Sequence, residues 1–541
     1  MRSTRTGRRR PRPRLVAMVL SATLVLAACG GAEDTDTDTD TDVDAAEDED
    51  ADTEGTNDAT PAADGGEIEI AIIEDADTLD PTFGQTLGGR YIFANMCEKL
   101  YDATPQLELV PQLAAELPEF SDDALTATIQ LREGVVFNDG EPFNAEAVKI
   151  SLDRHREAEG SARAGELTPI ESVTAVDELT VELALSEPYA PLTAILADRS
   201  GMIMSPAALD ELGVDFGQDP VCVGPFEFAE RVVGDSIVLD RAPDYYDADQ
   251  VFLDRVTFRP ISDAAVQTAN LRSGSLQMVD RLPTQDVDAI GSEDGIEVDE
   301  ITSIGHDSIM INVQDGPFAD PLVREAFELA IDRQQIVDTA FDGLATPSCQ
   351  PFPPASPFVI DGFECVDRDV EAAQALLAEA GVTTPVEVDF LSLNNTLDVR
   401  RGEVIQSQAA EAGFNVALRA TEAGTLIDDA ASGNFDMVVL NWSGRFDPDG
   451  NVFVFQHTDG GQNFGLASDA TIDGLLEDAR AEVDESARQD LYREAWEAAT
   501  ERGHQLILLH RNLYIGRSQD VSGFEAVGDG LIRLKGVSLA N

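Results

Sequence analysis

The stretch that most constrains this chain is Asp436–Asn451, DMVVLNWSGRFDPDGN. Met437–Leu440 is an uninterrupted apolar run, long enough for a buried strand and too short for a helix. It breaks into Asn441-Trp442-Ser443-Gly444-Arg445 and then Asp447-Pro448-Asp449-Gly450, which is turn chemistry. A buried strand therefore delivers one of only two Trp, an Arg and an Asp into the loop at its end. In open α/β sheets that end of a strand is where ligands bind. The competing reading is a Trp packed in the core beside an exposed acidic turn.

A chain of 541 residues is too long for one core, so two or three packed units are expected. Charge narrows the function: 36 Lys plus Arg stand against 103 Asp plus Glu, a net of -67. Setting aside the seven Arg of residues 1–28 and the 15 acids of residues 32–65 leaves 29 basic against 88 acidic side chains. The rest of the chain is thus itself strongly acidic, which argues against nucleic acid, whose phosphates need a basic face. It argues equally against electrostatic docking on anionic lipid. Only three basic residues are Lys (Lys99, Lys149 and Lys535). An acidic, Lys-poor surface suits salty surroundings, where its self-repulsion is screened.

Residues 1–28 read as an address and not as fold. Seven Arg lie between Arg2 and Arg14, followed by the apolar run Leu15–Ala28, too short to span a bilayer. The run closes on Leu26-Ala27-Ala28-Cys29, which resembles a bacterial lipobox and implies cleavage before Cys29 and a lipid on its thiol. Residues 29–66, with their Thr-Asp repeats, cannot bury enough apolar surface to fold and read as an acidic tether. Four further cysteines, Cys97, Cys222, Cys349 and Cys365, are an even number in an exported chain and predict two disulfides. Three pairings are possible; proximity favours Cys349–Cys365, closing a Pro-rich loop, and leaves Cys97–Cys222. No CxxC or close His pair occurs, so no metal site is expected.

Farther along, period-2 and period-3.6 patterns alternate. Strands are expected at Glu67–Ile73, Leu125–Leu131, Ser236–Asp240, Val256–Pro260, Val386–Leu393, Asn415–Arg419 and His504–His510. Helices are expected over Arg90–Leu100, from the cap Asn144 to about Arg156, from Asp320 and Pro321 through Ile331, from Asp369 to Gly381, over Arg400–Ala412 and along the tract Ile472–Ala498. Alternating strands and amphipathic helices give an α/β class.

The order of segments resembles the solute-binding proteins of ABC importers, family five, the peptide/nickel-binding group. The most specific stretch is Leu131–Arg154, LREGVVFNDGEPFNAEAVKISLDR, with support from Asp219–Phe226, Val323–Val337, the Leu-Leu-x-x-Ala-Gly ending at Gly381, and NWSGRFDPDGN. The resemblance implies a two-lobed, periplasmic-binding-protein-like fold (type II, cluster C) with a hinge and a ligand cleft between lobes. Lobe I would comprise 67–303, with 508–541 returning to it, and lobe II 304–507. It further implies an exported monomer, held through Cys29 at the outer face of the cell membrane or located in the periplasm. Such a protein captures peptides or similar small solutes for ABC permease subunits, with no cofactor, no nucleic acid and no catalysis.

For the site, the resemblance implies Trp442 as a stacking wall with Arg445 or Asp447 supplying charge. In peptide binders of the family an Asp lies three residues after this Trp and pairs with the peptide's α-amino group. Here that place is Arg445, whose planar fork suits a carboxylate or phosphate. The competing reading pairs Arg445 with Asp447 or Asp449 at the surface. Arg400 and Arg401 head a helix where relatives sometimes hold a carboxylate; Tyr91 and Glu98 follow the first strand on the cleft side. His457 would matter most for a metal complex, and a nickel chelate or other anionic solute is the alternative to peptide. Two rivals lie outside transport: a surface lipoprotein without a small ligand, and an exported hydrolase, for which neither GxSxG nor HExxH is present.

Overall fold

The computed structural model describes residues 64–540. The segment read as a signal peptide, Cys29 with its lipidation, and the tether as far as residue 63 lie outside the described residues. Helices begin where the sequence supplies caps. Thr86 accepts from the N–H of Gly89 and opens α1 (Leu87–Met96); Asn144 accepts from Glu146 and Ala147 and opens α2 (Ala145–Glu157). Asp320 caps α3 (Pro321–Leu329), which buries Val323, Ala326 and Phe327, and Asp369 caps α4 (Val370–Glu379). Asn395 caps α5 (Thr396–Ala412), so this helix starts ahead of the expected Arg400. Next, α6 (Asp449–Gln456) follows the Asp447-Pro448 turn. The expected tract Ile472–Ala498 is two helices, α7 (Ala470–Ala481) and α8 (Glu485–Arg502). Asp484 accepts from the N–H of Ala487 and caps the second, and a cap residue is by nature non-helical.

Twelve strands form one sheet. In chain order they are β1 (Glu67–Ile72), β2 (Phe226–Val232), β3 (Ser236–Arg241), β4 (Arg255–Pro260), β5 (Met278–Val279), β6 (Ile296–Thr302), β7 (His306–Ile311), β8 (Ala345–Pro347), β9 (Val386–Leu393), β10 (Phe414–Thr421), β11 (Met437–Trp442) and β12 (Gln505–Ser518). Their spatial order is β10-β9-β11-β7-β12-β5-β1-β4-β3-β2, with β6 and β8 also paired to β12. A separate antiparallel sheet of Glu119–Phe120, Thr126–Gln130, Thr180–Leu185 and Ile170–Ala175 belongs to the N-terminal half.

The long strand β12 joins the two halves. Its apolar start pairs with β7, from Met310 opposite Gln505 to Asp307 opposite Leu509, and its later part pairs with β6, from Thr302 opposite Asn512 to Ile296 opposite Ser518. It runs well past the expected His510, because β6 supplies hydrogen-bond partners where the apolar run has ended. The chain therefore crosses between halves twice, at Ser303–Gly305 and near Arg511, and the N–H of Ser303 donates to the Arg511 carbonyl at 2.8 Å. The largest apolar core draws its buried residues from 68–278 and 515–537, and a second core draws only from 309–509. Two hydrophobic centres bridged by two crossing segments make a two-lobed α/β molecule. Cys97 bonds Cys222 and Cys349 bonds Cys365, with Cα separations of 5.0 and 5.4 Å. Among the described residues no helix is long and apolar enough to cross a membrane, and no group of His, Cys, Asp and Glu is placed to hold a metal ion.

Candidate functional site

Strand β11 is buried from Met437 to Val439 and ends at Trp442, opposite His306 of β7. The chain then turns at Gly444, where φ is +81° and a Cβ would collide with the Ile304 carbonyl of the crossing segment. One side chain closes the loop. Asn451 Oδ1 accepts from Trp442 Nε1 at 2.9 Å and from the Arg445 N–H at 2.8 Å, and its Nδ2 donates to the Arg445 carbonyl at 2.8 Å. The indole stands edge-on to Phe455 at 5.2 Å, and the Arg445 guanidinium lies 4.8 Å from its ring centre, a cation–π contact. Trp442 is thus the platform beneath Arg445.

Arg445 lines a cavity of about 160 Å³ between the two lobes. Arg90, Glu166, Tyr189 and Asp198 face it from the N-terminal lobe, and Phe446, Asp447 and Asp449 from the other. The lobes touch beside it: the N–H of Ala190 donates to the Arg480 carbonyl at 2.8 Å, and Arg480 packs over Tyr189. A larger space of about 450 Å³ lies on the far side of the shared Phe446–Asp447 wall, lined by Leu109, Leu117, Phe120, Phe358 and Val483 among others. Together these spaces fall in the range of small-molecule sites.

The lining charges are mostly paired. Asp447 takes Arg488 through both oxygens at 2.6 and 2.7 Å, and Asp449 takes Arg480 at 2.9 and 2.9 Å. Across the cavity Glu166 accepts from Arg163 at 3.0 Å, and Asp198 from Arg90 at 3.3 Å with Arg199 at 3.6 Å. Burial pushes the Asp198 carboxyl up, but Arg90 and Arg199 outweigh it and hold it well below the carboxylate range. Arg445 has no carboxylate within ion-pair distance among the described residues; it donates to the Gly444 carbonyl at 2.7 Å. Although Arg445 is exposed, the protein around it lowers its pKa by desolvation, which Asp198 and Glu166 partly offset and Arg90 and Arg163 reinforce.

The other sequence-named residues lie elsewhere. Arg401 is fully buried between Asp307 and Asp398 and reaches Asn441 Oδ1 at 3.1 Å; Arg511 adds two bonds to Asp307 at 2.8 and 2.8 Å. This network fastens α5 to the Trp442 end of β11 and to the crossing strands. Arg400, one position away, is exposed and pairs with Asp342. Tyr91 is buried, its hydroxyl pushed up first by burial and then by the Asp280 charge. Glu98 is buried beneath Tyr245 and Tyr246, both of which donate to it. His457 stacks on Phe453 at 4.2 Å and meets Glu477 at 3.3 Å. Nothing in the sequence singles out Glu166, Tyr189 and Asp198, nor Arg90 beyond its place at the start of an expected helix, and all four reach the cavity only through the tertiary fold.

A family model described as bacterial extracellular solute-binding proteins, family 5 Middle, matches residues 108–464. The chain is 28% identical over 483 residues to the glutathione-binding protein GsiB of Salmonella paratyphi A, covering 87% of this chain and 94% of that one. Among solved structures it superposes on HbpA2 from Haemophilus parasuis with a TM-score of 0.81 at 24% identity, covering 88% and 100% of the two chains. It also superposes on AgaA from A. tumefacien R10, in complex with agropinic acid, with a TM-score of 0.71 at 26% identity, covering 88% and 99%. With the two-lobed fold and the cavity between its lobes, the match over most of the folded chain places this protein in family 5 of the bacterial extracellular solute-binding proteins, the substrate-binding components of ABC importers.

Proposed function

We propose that this protein captures a small solute carrying an anionic group, holds it between its lobes against Arg445, and hands it to an ABC permease without altering it. Lobe I comprises 67–303 with 508–541, and lobe II comprises 304–507. The reading rests on one observation: Arg445 faces the interlobe cavity with no carboxylate of the described chain to satisfy it. A guanidinium without a carboxylate partner there, resting over an indole, can offer its remaining N–H groups to a carboxylate or phosphate. Trp442 acts through Arg445, as the surface on which its guanidinium rests. Tyr189 and Phe446 supply apolar wall, and the crossing segments supply the hinge.

The relatives support a small organic solute. One is named for binding glutathione, and another was solved with agropinic acid. Nickel chelate is the second reading, since a structural neighbour of 20% identity, NikA from Staphylococcus aureus, was solved with Ni(L-His)2; His457, held by Phe453 and Glu477, is poorly placed to serve it. The protein is exported, lipidated at Cys29 and monomeric, so that the acidic tether of residues 29–66 keeps the lobes near their permease. Native mass spectrometry of protein purified from its source tests capture. A single small molecule bound one-to-one and released on denaturation is expected, and a bare protein at every concentration of solute extract would contradict it.

A further inference from the structure

The larger interlobe space bears on what the solute carries besides its anionic group, on the strength of the capture reading above. The space of about 160 Å³ at Arg445 and the one of about 450 Å³ behind it adjoin at Phe446 and Asp447, so a solute too large for the first extends into the second. Leu109, Leu117 and Phe120 face that second space from the N-terminal lobe, and Phe358 and Val483 from the other. Leu117 and Val483 are 49% and 48% exposed. A single exposed Leu or Val needs no explanation. Two of them on opposite lobes, lining one gap beside three half-buried apolar neighbours, form a wall that an apolar group entering the gap would take out of water.

The charges on the same lining oppose a second anion. Arg488 is buried and donates from all three nitrogens: Nη1 and Nη2 to Asp447, Nη2 also to the Tyr492 hydroxyl at 3.3 Å, and Nε to the Ala479 carbonyl at 2.8 Å. Drawing it to a ligand would strip buried Asp447 of its partner, which costs more than the new pair returns. Glu108 and Glu485 are exposed and make no ion pair among the described residues; Glu485 accepts only from the Gln489 amide at 3.3 Å. A carboxylate entering this space therefore leaves water for two open like charges and no available cation. We infer that the captured solute is an amphipathic monoanion. Its one anionic group sits at Arg445, a bulky apolar body lies against Leu117, Val483 and their neighbours, and a second anionic group is refused.

The probe is a set of matched pools of tripeptides with free ends, identical except that the central residue is Leu or Phe, Asn or Gln, or Asp or Glu. Solute-free full-length protein is equilibrated with each pool by dialysis, and enrichment is read by mass spectrometry. The apolar pool should be enriched about fivefold or more over the amide pool, and the amide pool about fivefold or more over the acidic one. Leu117→Ser with Val483→Ser, both at exposed positions where the fold tolerates change, should erase the first margin. Glu108→Gln with Glu485→Gln should shrink the second. Equal enrichment of the three pools, or an acidic pool on top, would overturn the inference while leaving solute capture intact. Should no pool be enriched, the molecule released from source-purified protein decides. One acidic group on an apolar body supports the inference, a polyanion or a polyol overturns it, and no released molecule overturns capture and the inference together.

Discussion

Arg401 and Arg445 flank the same strand end and are physically opposite. Arg401 lies beside Asn441 near the end of β11, sealed from water, with Asp307 and Asp398 on its guanidinium and Asn441 as a further partner. Arg445 lies past the tip, open to a cavity, with backbone carbonyl and hydroxyl acceptors but no carboxylate. Desolvation lowers the pKa of both; in Arg401 the two aspartates work directly against it, whereas around Arg445 the nearest acids belong to other arginines. An arginine close to a cleft is therefore not by that fact a ligand residue. What separates the two is whether the fold has already supplied the counter-charge.

The largest effect should come from the sealed side. Arg401→Ala leaves Asp307 and Asp398 buried without their central cation, and removal of one member of a buried pair costs about 3–5 kcal/mol. Urea denaturation should show a loss of that size, while the folded fraction binds solute normally; a loss under about 1 kcal/mol would mean that Arg401 is not the fastening described. Acid should strike the same side next. Burial holds the folded-state pKa of His155 down to about 4 and of His306 and His504 down to about 3, against an ordinary value of 6.5. Between those values the unfolded chain binds protons that the folded one refuses, so stability falls as pH drops below 6.5 toward 4. Each histidine contributes on the order of 3 kcal/mol to that fall. Asp280, raised by burial to about 6, works in the opposite direction over about pH 4–6, since its folded form takes up the proton more readily. Stability measured by chemical denaturation at pH 7, 6 and 5 should decline, and Asp280→Asn should steepen the decline.

Smaller effects sharpen the open side. Trp442→Ala removes the platform and frees the Arg445 fork to wander; solute affinity should fall by about 1 kcal/mol, the size of an exposed to partly buried cation–π contact. That loss should nearly vanish in an Arg445→Ala background, which a double-mutant cycle would reveal. Arg400→Ala is the smallest: its exposed pair with Asp342 is worth about 0–0.5 kcal/mol, and neither stability nor affinity should change beyond that.

Much of the scaffold was legible because its signals are local. Asn144, Asp320 and Asp369 cap the helices expected of them, and Val386–Leu393 is the strand expected from its pattern. Errors arose where a local signal was subtler or tertiary partners decided: Asp484 divides α7 from α8, and β6 extends β12 beyond its apolar run. The site was half legible. The strand-to-turn break at Trp442 points to the loop that lines the interlobe cavity, and the Arg at position 445 suggests an anion. Its partners were not, because Arg90, Glu166 and Asp198 lie more than two hundred residues earlier and only the tertiary fold brings them near. Nor could sequence distinguish Arg400 from Arg401, where a single step around a helix separates an exposed surface pair from a sealed one.

The most direct test is calorimetric titration of the solute released from source-purified protein into solute-free wild type and into Arg445→Ala. The expected outcome is one-to-one binding to the wild type, weakened at least tenfold by the substitution with thermal stability unchanged. Equal affinity in the two proteins would contradict the assignment of Arg445 as the anchor of the captured solute.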